Sequence, residues 1–145
     1  MMNSLIKVKK VDDETQLPEV FSIRRQVFVE EQGVPAGLEY SREDESHHFL
    51  AIYDNVACGA ARWRNTAGGY KLERFAVLPQ FRKRGVGAAL LRAVLDDLPD
   101  KKRLVYLNAQ LPAVRLYESF GFICVGELFE EAGMMHQRME LSISS

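Results

Sequence analysis

Apolar and polar positions alternate along this chain in two periods, and the switches between them mark out a mixed α/β chain. Leu5–Lys9 alternates apolar and basic residues and predicts a first strand. Leu17, Val20, Phe21, Val27 and Phe28 then recur at helical spacing. Pro18 is tolerated in a first turn, so this helix should start near Thr15, and Gly33, Pro35 and Gly37 should end it. Glu39–Ser46 is polar and reads as a loop. His48–Tyr53 and Val56–Arg64 read as strands around an Asp54-Asn55 hairpin turn. Tyr70–Leu78 follows as a third strand, with residues 65–70 closing a second hairpin. The helical period returns over Gly85–Leu98, where Val86, Leu90, Leu91, Val94, Leu95 and Leu98 keep the spacing until Pro99. After a strand over Arg103–Leu107, Pro112–Phe120 predicts a short helix with Ala113, Leu116, Tyr117 and Phe120 on one face. Pro112 suits its first turn and Gly121 its C-terminal cap. Phe122–Val125 and Met135–Leu141 are the last strands, giving the order β-α-β-β-β-α-β-α-β-β.

Length adds that 145 residues make a single domain, 1–145, long enough for its own core. Charge excludes a general nucleic-acid binder: 19 Lys and Arg against 20 Asp and Glu leave a net charge of −1, with no surplus to neutralise phosphates. Any anion site must therefore be local. Leu5–Val8 is interrupted by Lys7 and too brief for a signal-peptide core, and no apolar run reaches the roughly 18–20 residues of a bilayer span. A cytoplasmic protein that meets no membrane is expected. Cys58 and Cys124 have neither a CxxC partner nor metal-ligand spacing, so they are expected to be buried small hydrophobes, with no metal.

The chemically informative stretch is Val77-Leu78-Pro79-Gln80-Phe81-Arg82-Lys83-Arg84-Gly85-Val86-Gly87-Ala88. A strand ends, a basic turn follows, and two glycines open the long helix. The first turn of a helix has unpaired N–H groups and a partial positive charge, and glycines let a ligand approach the backbone closely. The segment is either a phosphate cradle flanked by Arg82, Lys83 and Arg84 or a plain helix start with a solvated basic turn. A Walker loop is excluded because Gly-Lys-Ser/Thr is absent. A dinucleotide fingerprint fails too: Gly85-Val86-Gly87-Ala88-Ala89-Leu90 lacks the third glycine, and Leu104–Leu107 lacks the acid.

Arg82-x-x-Gly85-x-Gly87 after Val77-Leu78-Pro79 resembles motif A of the GCN5-related N-acetyltransferase (GNAT) superfamily. Ala113-Val-Arg-Leu-Tyr117-Glu-Ser-Phe-Gly121-Phe122 resembles its motif B, in the expected order and separation. A finer similarity, to the YjcF/ElaA-like branch, is carried by Arg24-x-x-Val27-Phe28-Val29-Glu30-Glu31-Gln32-Gly33-Val34-Pro35, Gly59-Ala60-Ala61-Arg62-Trp63-Arg64, Leu107-Asn108-Ala109-Gln110 and Ala132-Gly133-x-x-His136. The resemblance implies a GNAT fold: a mixed, mostly antiparallel sheet of six to seven strands flanked by helices. It implies acetyl transfer from acetyl-CoA, used as the acyl-donor substrate, to an amine on a small molecule or peptide. Direct attack in a ternary complex is expected, because neither cysteine lies in the motifs. A non-catalytic acyl-CoA-binding domain on the same fold is the alternative, and a homodimer is an admissible assembly.

The resemblance also implies site roles. Main-chain groups of Phe75, Ala76 and Val77 would pair with the pantetheine arm, and an N–H near Val77 would polarise the thioester carbonyl. Lys83, Arg84, Gly85, Val86, Gly87 and Ala88, with Arg82, would hold the pyrophosphate. Many relatives have Asn seven residues before the motif B tyrosine; this chain has Gln110 there, with Asn108 two residues earlier, and either could contact CoA. Tyr117 is the expected proton donor to the leaving thiolate. Glu73, four residues before Val77, should share its strand face with Phe75 and Val77 and is either an exposed position or a tuned base. His47 and His48 read as structural or titrating residues at a strand start, and His136 as a substrate-site residue. Arg24 and Glu31 fall on the apolar stripe of the first helix, which suggests an internal ion pair or an acceptor-site charge. Arg62, Arg64 and Arg74 pose the same question, with a solvated strand position as the simpler reading.

Overall fold

The computed structural model describes residues 5–11, 16–34 and 46–141. Thr15, Pro35, Gly37 and the predicted loop up to Glu45 lie outside them. Strand β1 (Ile6–Val11) precedes helix α1 (Leu17–Arg24), which runs on as a π-helical stretch over Arg25–Glu31. Three antiparallel strands follow: β2 (Ser46–Tyr53), β3 (Val56–Thr66) and β4 (Gly69–Val77). Helix α2 (Val86–Asp97) leads to β5 (Val105–Gln110), and a 3-10 turn at Leu111–Ala113 leads to α3 (Val114–Glu118). Strands β6 (Ile123–Cys124), β7 (Phe129–Glu131) and β8 (Met134–Leu141) complete the chain. Their order across the sheet is β1-β2-β3-β4-β5-β8-β6, with β7 also paired to β8.

The predicted Asp54-Asn55 turn is present, both residues being left-handed at φ 49° and 69°. That is what a two-residue hairpin turn matched to strand twist requires. One strand was not legible: β7 is three residues long and depends on its pairing with β8, from Phe129 opposite His136 to Glu131 opposite Met134. Cores lie on both faces of the sheet. Leu90, Leu91 and Val94 of α2 pack on Leu72, Leu107 and Met139. Val20, Ile23 and Val27 pack on Leu50, Ala60 and Ala76 on the opposite face.

Two features of β4 build the site. First, β4 pairs with β5 in parallel only where Tyr70, Lys71 and Leu72 oppose Val105, Tyr106 and Leu107. Beyond Leu72 the strands part, while β5 stays paired with β8 as far as Gln110 opposite His136. Second, Ala60 opposes Ala76 but Arg62 opposes Glu73, two steps on β3 against three on β4. The extra residue is a β-bulge at Arg74-Phe75, with Arg74 left-handed at φ 59°. A bulge reverses the alternation of side chains. The expectation that Glu73 shares a face with Phe75 and Val77 is therefore corrected: Glu73 lies with Arg62 on the α1 side, and Phe75 and Val77 pack against the α2-side core.

Candidate active site

The parting of β4 and β5 opens a cleft of about 660 Å³, walled by β4, β5, the π-helical stretch and the residues after it, the 3-10 turn and α3, and the β7–β8 hairpin. Phe75, Ala76, Val77, Arg82, Gly87, Asn108, Gln110 and Tyr117 line it, as do Glu73 and His136. Among the described residues, the β4 edge facing this cleft has no strand partner after Leu72. Leu78 donates its N–H to the Cys58 carbonyl on β3 at 2.9 Å, so strand alternation turns the Val77 N–H the opposite way, toward the cleft. The Val77 carbonyl is already engaged, accepting from Arg82 Nε at 2.9 Å. Of the Val77 main-chain pair, the N–H alone is open to a ligand.

At the outer end of this edge, Gly85 caps α2 at φ 88°, a left-handed conformation that suits glycine. Lys83 is also left-handed, at φ 64°. The N–H groups of the first turn, from Val86 on, have no partner within the helix. Gly87 sets the distance to α3: a β-carbon there would lie 3.2 Å from Leu116 Cδ2. Lys83, Arg84, Gly85, Val86 and Ala88 are not among the described residues lining the cleft, and Val86 is buried in the α2-side core. Arg82 does not offer a free guanidinium. Its two terminal nitrogens donate to Glu31 at 2.8 and 2.7 Å. The hydrogen bond to Arg82 holds the Glu31 carboxyl below its usual pKa. Arg84 sits over the Tyr53 ring, 5.5 Å from its centroid.

Tyr117 lies on the α2 side at 5% exposure, its ring edge-on to Phe75 and Phe122, each at 5.9 Å. Its hydroxyl makes no hydrogen bond with any described residue. Burial pushes its pKa well above that of an ordinary phenol, so it stays protonated across the neutral range.

On the α1 side, Glu73 is caged by cations. Arg62 Nε and Arg64 Nε donate to its Oε2 at 2.8 and 2.9 Å, and Lys71 Nζ lies 3.3 Å from Oε1. Burial by itself would raise the Glu73 pKa; attraction to Arg62, the Arg64 hydrogen bond and Lys71 outweigh it and hold it down to about 2. A carboxylate held so low is a weak proton acceptor at neutral pH. Arg62 is no solvated strand position: it is 1% exposed, because its side chain lies between the sheet and α1. Arg24 is also 1% exposed, its guanidinium 5.4 Å from the Phe21 ring centroid, and it is not among the described residues lining the cleft.

Asn108 and Gln110 share the α1-side face of β5, since Leu107 and Ala109 fill the other. Gln110 exchanges amide hydrogen bonds with Gln32, at 3.1 and 3.3 Å, whereas the Asn108 amide bonds to no described residue. Gln32 lies in the stretch that carries the branch resemblance but was given no role there; its partner Gln110 is 78 positions away. His136 is 5% exposed and lines the cleft, with Nδ1 2.8 Å from the Met134 carbonyl oxygen. His47 is exposed and stacks on Trp63 at 4.1 Å, while His48 is buried edge-on to Phe21. Neither is among the described lining residues. Cys58 is buried as expected, but Cys124 is exposed, because β6 is a two-residue edge strand with β8 on one side only.

A sheet parted between two parallel strands, beside a glycine-opened helix start, fits the class of acyl-CoA-dependent transferases. The comparisons make this specific. The family described as acetyltransferase (GNAT) domain matches residues 10–143, and the chain belongs to that family. It is 38% identical over 130 residues to the uncharacterized N-acetyltransferase YjcF of Bacillus subtilis (strain 168), covering 88% of this chain and 93% of that protein. The crystal structure of Escherichia coli ElaA superposes with a TM-score of 0.75 at 26% identity, covering 92% of this chain and 98% of ElaA. A GNAT acetyltransferase from Elizabethkingia anophelis with acetyl-CoA bound shares the fold, with a TM-score of 0.73 at 16% identity and coverage of 96% and 99%.

Proposed function

We propose that this chain moves the acetyl group of acetyl-CoA to an amine by direct attack within a ternary complex. The observation that carries this reading is the unpaired cleft-side edge of β4 beyond Leu72, with α2 starting at its outer end and Tyr117 beside it. The pantetheine arm lies along Phe75–Val77 as an added strand, and the pyrophosphate sits on the N–H groups of Lys83–Ala88. The Val77 N–H polarises the thioester carbonyl as charge develops on its oxygen. Tyr117 delivers a proton to the leaving sulfur. Arg82 acts through its two fixed contacts as a strut between Glu31 and the end of β4. Glu73 is a structural anion that holds Arg62, Arg64 and Lys71. Arg24 belongs to the packing behind the cleft rather than to the acceptor site. Direct attack is preferred to a covalent relay because neither cysteine is among the described residues lining the cleft.

The test is release of free CoA across a panel of primary amines, with mass spectrometry of the products. Acetylated amine is the expected product; saturable acetyl-CoA binding with no release from any amine would favour the non-catalytic binding domain. A companion variant addresses the cradle. Gly85→Asp introduces a side chain at φ 88° and a negative charge beside the pyrophosphate. Acetyl-CoA affinity measured by calorimetry should fall at least about tenfold, which is about 1.4 kcal/mol. Unchanged affinity in the folded variant would remove the loop from the binding site.

A further inference from the structure

We infer that His136 is the proton acceptor for the attacking amine, an assignment that rests on the acetyl-transfer reading above. A carbonyl oxygen can only accept a hydrogen bond, so the 2.8 Å contact with Met134 O requires Nδ1 to carry the hydrogen in the neutral ring. The lone pair is then on Nε2. The ring is fixed in orientation as well, stacked on Phe129 at 5.7 Å with an interplanar angle of 23°. Tautomer and orientation are the two things a general base must have set in advance. Strand register places His136 opposite Gln110, at the open end of the splay, and the residue lines the same cleft as Tyr117.

The charged and titratable groups on the surrounding elements do not supply a better base. Glu73 on β4 is held by Arg62, Arg64 and Lys71, and Arg74 on that strand is a cation. Glu131 on β7 is exposed to water. On β8 itself, Arg138 pairs with Glu140 at 2.9 Å and lies over the Tyr106 ring of β5 at 4.3 Å. The facing residues of β5, Asn108 and Gln110, are uncharged, and Tyr117 is held protonated by burial.

The amine nitrogen forms a bond to the thioester carbonyl carbon, and one of its N–H bonds breaks with the proton passing to Nε2. The C–S bond breaks with its electron pair on sulfur, which takes the Tyr117 proton. Tyr117 is reprotonated from solvent and His136 returns its proton there, so the products are the amide and free CoA.

The experiment compares wild type with His136→Asn, whose amide nitrogen can keep the bond to Met134 O while Nε2 is lost. The probe is whichever primary amine of the panel gives fastest CoA release. Expected is a fall of about 10²–10⁴-fold in kcat/KM at neutral pH, with acetyl-CoA affinity within a few-fold. Partial recovery of His136→Ala by added imidazole would support the same role. Long-range proton–nitrogen NMR of wild type should read the Nδ1–H tautomer. A folded His136→Asn enzyme with an unchanged rate, or an Nε2–H tautomer, overturns the assignment while the transfer reading stands. If wild type releases no CoA with any amine, both fall.

Discussion

Tyr117→Phe is expected to lower turnover by about 10²–10⁴-fold, the usual cost of removing a positioned acid. The fold should survive it. Phenylalanine keeps the ring that packs edge-on against Phe75 and Phe122, and the lost hydroxyl leaves no described group without its hydrogen-bond partner. Acetyl-CoA affinity should stay within a few-fold, because the proposed binding mode puts the pyrophosphate at α2 and the arm along β4, away from the hydroxyl. Burial raises the Tyr117 pKa, so this phenol contributes no alkaline limb to the wild-type profile in the ordinary assay range. Rapid-quench measurement of the acetyl-transfer step checks the prediction. A folded variant with wild-type turnover, on an amine for which chemistry limits the rate, would assign the proton to water or to another group.

Glu73→Gln should show up as lost stability rather than as lost base catalysis. Removing one partner of a buried ion pair costs about 3–5 kcal/mol, here because Arg62 at 1% exposure loses its carboxylate. For a chain of this size that is on the order of 10 °C in Tm. The pH dependence has a definite sign. The folded pKa of about 2 lies below the 4.5 of a free glutamate, so the stabilisation is complete above about pH 4.5 and is lost as pH falls toward 2. The Tm gap between wild type and variant should close over that window. At temperatures where both are folded, the pH–rate profile should keep its shape. A variant with wild-type Tm whose rate falls a hundredfold would return Glu73 to the role of base.

Several features of this site depend on contacts between residues far apart in the chain. Arg82 meets Glu31 across 51 positions and Gln110 meets Gln32 across 78, and neither pairing has a local pattern. Arg62 sits in a strand of mixed apolar and basic residues, where exposure cannot be read from alternation alone. The phase error at Glu73 has a single cause: period-two counting assumes an unbroken ladder, and the bulge at Arg74-Phe75 adds one residue on β4. The π-helical turn of Arg25–Glu31 was invisible for a similar reason, since Val27 and Phe28 satisfy a 3.6 period and remain buried in the wider turn. Cys124 could be placed as exposed only once β6 was found to be an edge strand.

By itself the sequence determined the class and the frame. Strong periodicity placed α2, Asp54-Asn55 placed the first hairpin turn, and the stretches around Arg82-x-x-Gly85-x-Gly87 and Tyr117 carried the resemblance to the GNAT family. These are local quantities, set by backbone sterics, by capping and by which face of an element must avoid water. What only the tertiary structure decided is which partners surround the cleft's polar groups. Whether Glu73 can take a proton depends on three cations brought to it from β3 and β4, and whether His136 can depends on a carbonyl and a ring that fix its tautomer. The energies that set proton affinity depend on distance and desolvation in space, which spacing along a chain does not encode.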